Sequence, residues 1–357
     1  MIRNRWSATT RTWEHGGVRS GLIRCGAAAL LFGASTPAAS QLAGEMGVFA
    51  LAGLLYLGAG AGAVPYALRH PPSWGSVRRG WPRLTLAVFF GGIVGPVLLV
   101  LGLVRTSAAS ASLLLNLELP LTVLIAGLLF REHLGGRVVA GAVLVTTAGV
   151  ALTATGGSST IRWGAVFIAL ACLAWAVDNV VTAELDELAP AHVTLVKGWV
   201  AGSVSFTVAA FTGDLPGAGV AAIALVVGAI GYGLSITLWV AGARELGAAR
   251  AQVVFATAPF VGALLAWVAL REAATVGQAV AVLAAAIGVG LVLRSAHEHE
   301  HHHPAVVHDH EHVHTDGHHD HDHAGGDPGR HQHTHTHVPL THTHPHVPDV
   351  HHRHEHG

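Results

Sequence analysis

The sequence predicts an all-α integral membrane protein whose ten transmembrane helices form two inverted five-helix repeats. Three observations support this fold class. Hydrophobic residues make up 51% of the chain and charged residues only 11%, which is typical of membrane proteins. Apolar stretches of about 20 residues, long enough to span a bilayer, follow one another along most of the chain. Two long segments resemble each other at a spacing of about 140 residues, as inverted repeats do.

Ten apolar stretches define the predicted helices. Each is long enough to cross the hydrocarbon core, which needs about 20 helical residues. An even number of spans places both termini on the same side of the membrane. The expected spans are residues 22–42, 46–68, 84–104, 107–130, 136–155, 161–183, 191–212, 219–241, 248–270 and 275–293.

The arginine distribution favours cytoplasmic termini in a plasma-membrane protein, because basic residues concentrate in cytoplasmic loops. With a cytoplasmic N-terminus, only Arg105, Arg162 and Arg271 fall on the outer side. The arginines on or near the cytoplasmic side are then Arg3, Arg5, Arg11, Arg19, Arg69, Arg78, Arg79, Arg83, Arg131, Arg137, Arg244 and Arg250. The alternative for the N-terminus is a cleaved secretory signal, since an Arg-rich segment precedes CGAAALLFGASTPAAS. Its removal would leave nine spans and put the tail and the basic loops on inconsistent sides.

The internal repeat is carried by VRTSAASASLLLNLELPLTVLIAGLLFREHLGG and ARELGAARAQVVFATAPFVGALLAWVALREAAT. Pro120 matches Pro259, and the pair Arg131-Glu132 matches Arg271-Glu272. More weakly, LLFGASTP resembles CLAWAVDN. Each half holds five spans, and an odd number gives the halves opposite orientations in the membrane. The predicted organisation is a cytoplasmic segment 1–20, repeats 21–156 and 157–295, and a tail 296–357.

The motifs FGASTP in the first helix, NLELP in the fourth and REHLG after it carry a family resemblance. The chain resembles the EamA family of the drug/metabolite transporter superfamily over residues 20 to 295. This resemblance implies alternating-access transport of a small organic solute without ATP. The sequence contains no GxxxxGK[ST] nucleotide-binding loop. We therefore expect a secondary transporter, not an enzyme, that requires no cofactor.

Glu118 is the first candidate for a functional side chain within a span, because a charge in hydrocarbon is costly unless it faces a cavity or a partner. Asn116 precedes it by two residues, and Pro120 follows by two, where proline frees a backbone carbonyl. The functional interpretation is a proton-coupling carboxylate or a ligand for a cationic group on the substrate. The structural alternative, a carboxylate hydrogen-bonded to a neighbouring helix, carries equal weight.

Asp178 and Asn179 occupy the sixth helix at positions that match Ser35 and Thr36 in the first. We expect Thr36, Asn116, Glu118, Asp178 and Asn179 to form the substrate-binding or coupling site, facing one central cavity between the halves. Lys197 lies at a depth where it could pair with Asp178 or extend to water. We favour either of these over binding of a substrate carboxylate.

The tail is rich in histidine and lacks apolar periodicity, so we expect it to be disordered. Alternation such as HEHEH places imidazoles at every second position, where neutral nitrogens can bind Zn, Ni, Co or Cu ions. The alternative is a solubilising tail that titrates near neutral pH. The candidate metal ligands are His297, His299, His301, His308, His310, His312, His314, His319, His321 and His323.

The spans themselves contain no histidine, because the other four, His15, His70, His133 and His192, lie in predicted cytoplasmic segments. Glu118, Asp178 and amides are hard ligands that select poorly for Zn, Ni or Cu. We therefore expect export or exchange of an organic metabolite. The alternatives are transition-metal efflux and a membrane-anchored metal buffer or sensor. Expected partners are the lipid bilayer, a small-molecule substrate and divalent metal ions, with a homodimer as a candidate assembly and no nucleic acid.

Overall fold

The computed structural model describes residues 9–72, 74–130, 136–155, 159–183, 185, 188–246, 251, 254–293, 297–303, 306–312, 331–337 and 340–346. These residues belong to two separate compact units, a helical unit that precedes residue 296 and a strand unit within Ala296–Asp349. Each unit is considered by itself below.

Within the described residues of the helical unit, ten helices correspond to the ten predicted spans, which confirms the predicted fold class. Seven are long and apolar enough to span a membrane, and the shorter apolar helices Val139–Leu152, Ala258–Val268 and Val276–Leu291 complete the ten. The helices are α1 (Thr9–Leu42), α2 (Val48–Arg69), α3 (Trp74–Leu103), α4 (Ala108–Leu114 continued by Leu115–Leu117 and Glu118–Phe130), α5 (Gly136–Thr155), α6 (Ser159–Ala183), α7 (Pro190–Thr212), α8 (Ala218–Gly228 continued by Ala229–Leu234 and Ser235–Leu246), α9 (Ala258–Val268) and α10 (Val276–Leu293).

Two helices begin well before the predicted span. Helix α1 begins at Thr9 instead of residue 22, and α3 begins at Trp74 instead of residue 84. In both cases the extra turns are polar, and the first turns of α3 carry three arginines, Arg78, Arg79 and Arg83. Hydropathy locates only the lipid-facing part of a helix, so polar extensions of this kind escape it.

The packing of the helices is preserved when the two halves are exchanged. Helix α3 packs against α6 as α8 packs against α1, and α4 packs against α6 as α9 packs against α1. Three further packed pairs each join equivalent helices of the two halves, so the exchange leaves them unchanged: α2 with α7, α4 with α9, and α5 with α10. This pattern is what a two-fold relation between five-helix halves requires.

Glycine allows α2 and α7 to cross at close distance. A Cβ on Gly53 would collide with α7, and a Cβ on Gly198 or Gly202 would collide with α2. A Cβ on Gly60 would be in tight contact with Trp199 of α7. Small residues at such crossings bring backbones together and replace the hydrophobic driving force that lipid cannot supply. The four-residue spacing from Gly198 to Gly202 thus allows close packing of α7 against α2.

Helices α3 and α8, which are equivalent in the repeat, each contain a π-helical segment. These segments are Ala87–Val94 in α3 and Ala229–Leu234 in α8. A π-helical turn inserts a residue into the α-helical register and is frequent at functional sites. Its presence at matching positions in both halves makes it a feature of the repeat.

The matched prolines Pro120 and Pro259 each lie beside an interruption of a helix. The 3₁₀ turn Leu115–Leu117 interrupts α4 just ahead of Pro120, because that proline cannot donate to the carbonyl four residues before it and crowds it. Pro259 lies in the first turn of α9, where its missing N–H is tolerated. Both prolines thus fall beside a break in the fourth helix of their half.

The second copy of the repeated Arg-Glu pair ties the two halves together. Arg271 adopts a left-handed conformation, with φ of 56°, after the end of α9. The Glu272 carboxylate then accepts hydrogen bonds from the backbone N–H groups of Ala108, at 2.8 Å, and Ala109, at 3.0 Å. A carboxylate at a helix N-terminus satisfies unpaired N–H groups and complements the helix dipole. The first copy, Arg131-Glu132, lies outside the described residues.

The tail, for which composition predicts disorder, is described as strands over part of its length. It contains the strands β1 (His297–His303), β2 (Val306–His312), β3 (His331–His337) and β4 (Leu340–His346). Strand β1 pairs with β4, and β2 pairs with β3, both antiparallel. The alternation in HEHEH and HTHTH has the period of a strand, a signal that composition alone conceals. Strands are thus confined to the tail, whereas the described residues of the helical unit are helices and connecting turns.

Candidate functional site

A salt bridge joins α6 to α7 near the connection between them. The Lys197 ammonium group pairs with Asp178 Oδ2, and the two side chains are only 15% and 6% exposed. One helical turn further along α6, Thr182 Oγ1 donates to Asp178 Oδ1 at 3.0 Å. Both carboxylate oxygens are therefore satisfied, as a buried charge requires. Of the two alternatives for Lys197, pairing with Asp178 or extension to water, the structure shows the pairing.

Lys197 is the only lysine in the sequence, since every other basic side chain apart from histidine is arginine. Lysine presents a compact point charge on a flexible stem, whereas arginine presents a fixed planar fork of donors. A single lysine within a span can be found from the sequence and indicates a charge that needs a partner. The sequence does not identify that partner. The structure identifies that partner as Asp178.

The Gly91 carbonyl in the π-helical segment of α3 receives two hydrogen bonds. The Tyr56 hydroxyl donates to this oxygen at 2.5 Å, and the Trp175 indole Nε1 donates to it at 3.1 Å. A Cβ at Gly91 would overlap the carboxylate of Asp178, so only glycine lets the ion pair fit there. Gly91 thus brings α2, α3 and α6 together beside the salt bridge.

Sequence reasoning missed Gly91 because glycine is abundant in this chain, with 44 copies, and one more carries little signal. The repeat does contain that signal. Gly231, about 140 residues later in the π-helical segment of α8, lies against Ser35 of α1 as Gly91 lies against Asp178. This geometry supports the predicted equivalence of Ser35 and Asp178, with a neutral side chain in one half and a charged one in the other.

Glu118 forms a second polar contact, between α4 and α6. Asn179 Nδ2 donates to Glu118 Oε1 at 2.8 Å and lies 3.4 Å from Thr122 Oγ1. Glu118 is half-buried and Asn179 is exposed on the surface of the chain. Within the described part of the chain, Glu118 has no salt-bridge partner. Two neighbouring residues of α6 therefore make different polar contacts. Asp178 forms an ion pair with Lys197 of α7, and Asn179 donates a hydrogen bond to Glu118 of α4.

The remaining predicted site residues, Asn116 and Thr36, are both buried. The Asn116 side chain is buried and donates to the Leu113 carbonyl in its own helix at 3.0 Å. Thr36 is 3% exposed within α1. The hydrogen bonds among the described residues connect neither side chain to Glu118 or Asp178. The turn ahead of Pro120 explains Asn116, because it leaves a carbonyl that the amide can satisfy locally.

A row of aromatic side chains continues from Tyr56 into the second half. Ring centroids lie 6.1 Å apart for Tyr56 and Tyr232, 5.6 Å for Tyr232 and Phe32, and 5.3 Å for Phe32 and Phe255. Trp239 extends the row at 6.1 Å from Phe255. These distances are typical of stabilising aromatic pairs.

The two halves differ in chemistry at their fourth helices. Aligning Pro259 with Pro120 places Thr257 where the first half has Glu118, and Phe255 where it has Asn116. The first half thus supplies polar and acidic groups, whereas the second supplies an aromatic ring.

Among the side chains that the structure describes, no group of three or more His, Cys, Asp or Glu residues could hold a metal ion. In the tail, only backbone positions are described for the predicted ligands His297, His299, His301, His308, His310 and His312. The other predicted ligands, His314, His319, His321 and His323, lie outside the described residues.

The fold and the charged groups within its helices define a multi-pass membrane protein of the two-repeat transporter class. A model of the EamA-like transporter family matches residues 19–155 and 162–294, which are the two halves. The chain belongs to this family, consistent with the drug/metabolite transporter superfamily.

The chain is also similar to a protein named "Uncharacterized transporter" from Methanothermobacter thermautotrophicus strain Delta H. The two are 30% identical over 206 residues, which cover 55% of this chain and 60% of that relative. A solved structure described as "Crystal structure of protein" matches with a TM-score of 0.57 and 20% identity, over 77% of this chain and 95% of the other. That likeness supports the fold alone.

Proposed function

We propose that this transporter exports or exchanges a small organic metabolite by alternating access, and that Glu118 and Asn179 take part in binding or coupling. Membership of the EamA-like transporter family supports a membrane transporter of small solutes. The finer proposal depends above all on one observation. Glu118 is a half-buried carboxylate in a membrane-spanning helix that touches an amide and, among the described residues, no cation.

A carboxylate in this situation is suited to bind a cationic group or a proton. Ionisable side chains inside a membrane are costly and mark substrate or ion pathways. Asp178 already has its cation, so Glu118 is the better candidate to receive an external one. Lys197 then has a positioning role, because it fixes the turn of α6 that presents Asn179 to Glu118.

We further propose that the two halves move against each other at the π-helical segments of α3 and α8. Alternating access in inverted repeats is largely a rocking of one half against the other. The segments contain Gly91 and Gly231, each in close contact with the first helix of the opposite half. A local change of helical register there would shift Asp178 and Ser35 in concert.

The test is flux in liposomes with the variant Glu118→Gln. We expect transport of the organic substrate to be abolished, while the amount of folded protein in the membrane is unchanged. Glu45→Gln is the matched control, because Glu45 is an exposed carboxylate in the turn after α1. Normal flux in the Glu118 variant would refute the proposed role.

Metal efflux is the second candidate, and the histidine-rich tail favours it. We propose instead that the tail, on the cytoplasmic side together with the N-terminus, binds transition-metal ions without supplying a metal path through the helices. Deleting residues 297–357 separates the two functions. Loss of nickel, cobalt or zinc export with no change in any organic solute would contradict metabolite transport.

A further inference from the structure

We propose that the tail binds divalent transition-metal ions at pairs of histidines that are opposite each other in its two strand ladders. This proposal rests on metal binding by the tail, and it adds the arrangement of the ligands. The binding unit is a rung, meaning two directly opposed histidines on paired strands.

The register of both ladders pairs histidine with histidine. In the first ladder, β1 pairs with β4 so that the rungs are His297 with His346, His299 with His344, and His301 with His342. In the second, β2 pairs with β3 so that the rungs are His308 with His335, His310 with His333, and His312 with His331. A shift of one residue in either ladder would place these histidines opposite Thr, Pro, Gln or other residues.

Backbone geometry places the two members of a rung within chelating range. Directly opposed residues in an antiparallel pair have Cβ atoms about 4.5–5.5 Å apart. Residues at every second position occupy the same face of a ladder, about 6.8 Å apart along the strand. The rungs of one ladder therefore share a face, while Glu298, Glu300, Asp309 and Glu311 occupy the alternate positions.

Two to four imidazole ligands suit divalent transition-metal ions. Zinc takes four ligands, with Zn–N distances of about 2.0–2.1 Å, and imidazole also suits copper and nickel. One rung supplies two nitrogens, with water completing the coordination, and two adjacent rungs can supply four. Magnesium and calcium prefer oxygen ligands and are not expected to bind the rungs.

Metal binding and strand pairing should depend on each other. An isolated two-stranded ladder is marginally stable in water. An ion held by both strands adds its binding free energy to their pairing, as in small metal-dependent folds. Zinc should accordingly slow hydrogen exchange at the backbone amides of both ladders. These amides belong to residues 297–303 and 340–346 in the first ladder and to residues 306–312 and 331–337 in the second.

The experiment compares zinc binding by three full-length tail variants in detergent, with calorimetry and metal analysis. In the β2 variant, His308, His310 and His312 become threonine. In the β3 variant, His331, His333 and His335 become threonine. In the β1 variant, His297, His299 and His301 become threonine.

Combining the variants distinguishes rungs from independent histidines, because each rung needs both of its members. The β2 and β3 variants together should lose no more zinc than either alone. The protein that combines the β1 and β3 variants also lacks six histidines, but it has no intact rung in either ladder. It should therefore lose twice as much bound zinc as the protein that combines the β2 and β3 variants. The matched number of histidines makes each combination the control for the other.

Equal losses in the two six-histidine combinations would overturn the paired arrangement while leaving metal binding by the tail intact. If the unmodified chain binds no zinc, metal binding by the tail fails as well. Substrate flux through the helical unit is measured separately, so neither result is confused with failure of the proposed transport.

Discussion

Replacing Lys197 with methionine tests the salt bridge between α6 and α7 most sharply. The variant keeps most of the length of the side chain but leaves the Asp178 carboxylate, which is 6% exposed, without its cation. Breaking a buried ion pair by removing one partner costs about 3–5 kcal/mol. We expect a value near the lower end, about 3 kcal/mol, because Thr182 still donates to Asp178 and the lysine site is partly accessible.

The assay is a double-mutant cycle on the free energy of unfolding, measured by detergent titration of Lys197→Met, Asp178→Asn and the double variant. About 3 kcal/mol corresponds to roughly a hundredfold change in the ratio of folded to unfolded protein. The double variant should recover most of the loss, since no unpaired charge remains. Additive effects of the two substitutions would show that the pair does not form in the membrane.

The sole lysine provides an independent readout of the same contact. An amine-reactive reagent can label only Lys197 and the N-terminal amine. We expect Asp178→Asn to increase the labelling rate of Lys197, because the freed ammonium group no longer has a buried partner. Thr182→Val serves as the control, since it removes a hydrogen bond to Asp178 without removing the ion pair.

Three further outcomes are expected. Gly91→Ala should lower both the free energy of unfolding and the flux, because its Cβ would occupy the space of the Asp178 carboxylate. Gly44→Ala, with open space around it, should change neither quantity. Glu272→Ala should reduce the free energy of unfolding by about 1–3 kcal/mol, since two backbone N–H groups of α4 lose their acceptor; an unchanged unfolding midpoint would contradict the cap. Deleting residues 297–357 should remove zinc binding but leave the thermal unfolding of the helices unchanged, because the tail strands form a separate compact unit.

The sequence predicted the features that follow from solvent and symmetry. Ten spans are visible because lipid demands long apolar stretches. The equivalence of Ser35 and Asp178, and the pairing of Asp178 with Lys197, could be anticipated because charges in spans are few and need partners. These predictions depend on composition and spacing, which a single sequence displays.

Other features left no such trace. The π-helical segments lie in uniformly apolar sequence, so neither hydropathy nor periodicity distinguishes them from an α-helix. Asn116 bonds to its own helix because of the turn ahead of Pro120, and sequence spacing does not reveal that local choice. The register of the tail ladders depends on which strands pair, and many pairings of HTHTH-like segments have the same composition.

We propose that the helices move an organic solute and that Glu118 takes part in its transport. The most direct measurement is exchange across liposomes that contain the protein without residues 297–357, using a panel of organic cations and amines beside nickel, cobalt and zinc. We expect exchange of an organic solute that Glu118→Gln abolishes and Glu45→Gln preserves. Exchange of metal ions alone, or organic exchange that persists in Glu118→Gln, would contradict it.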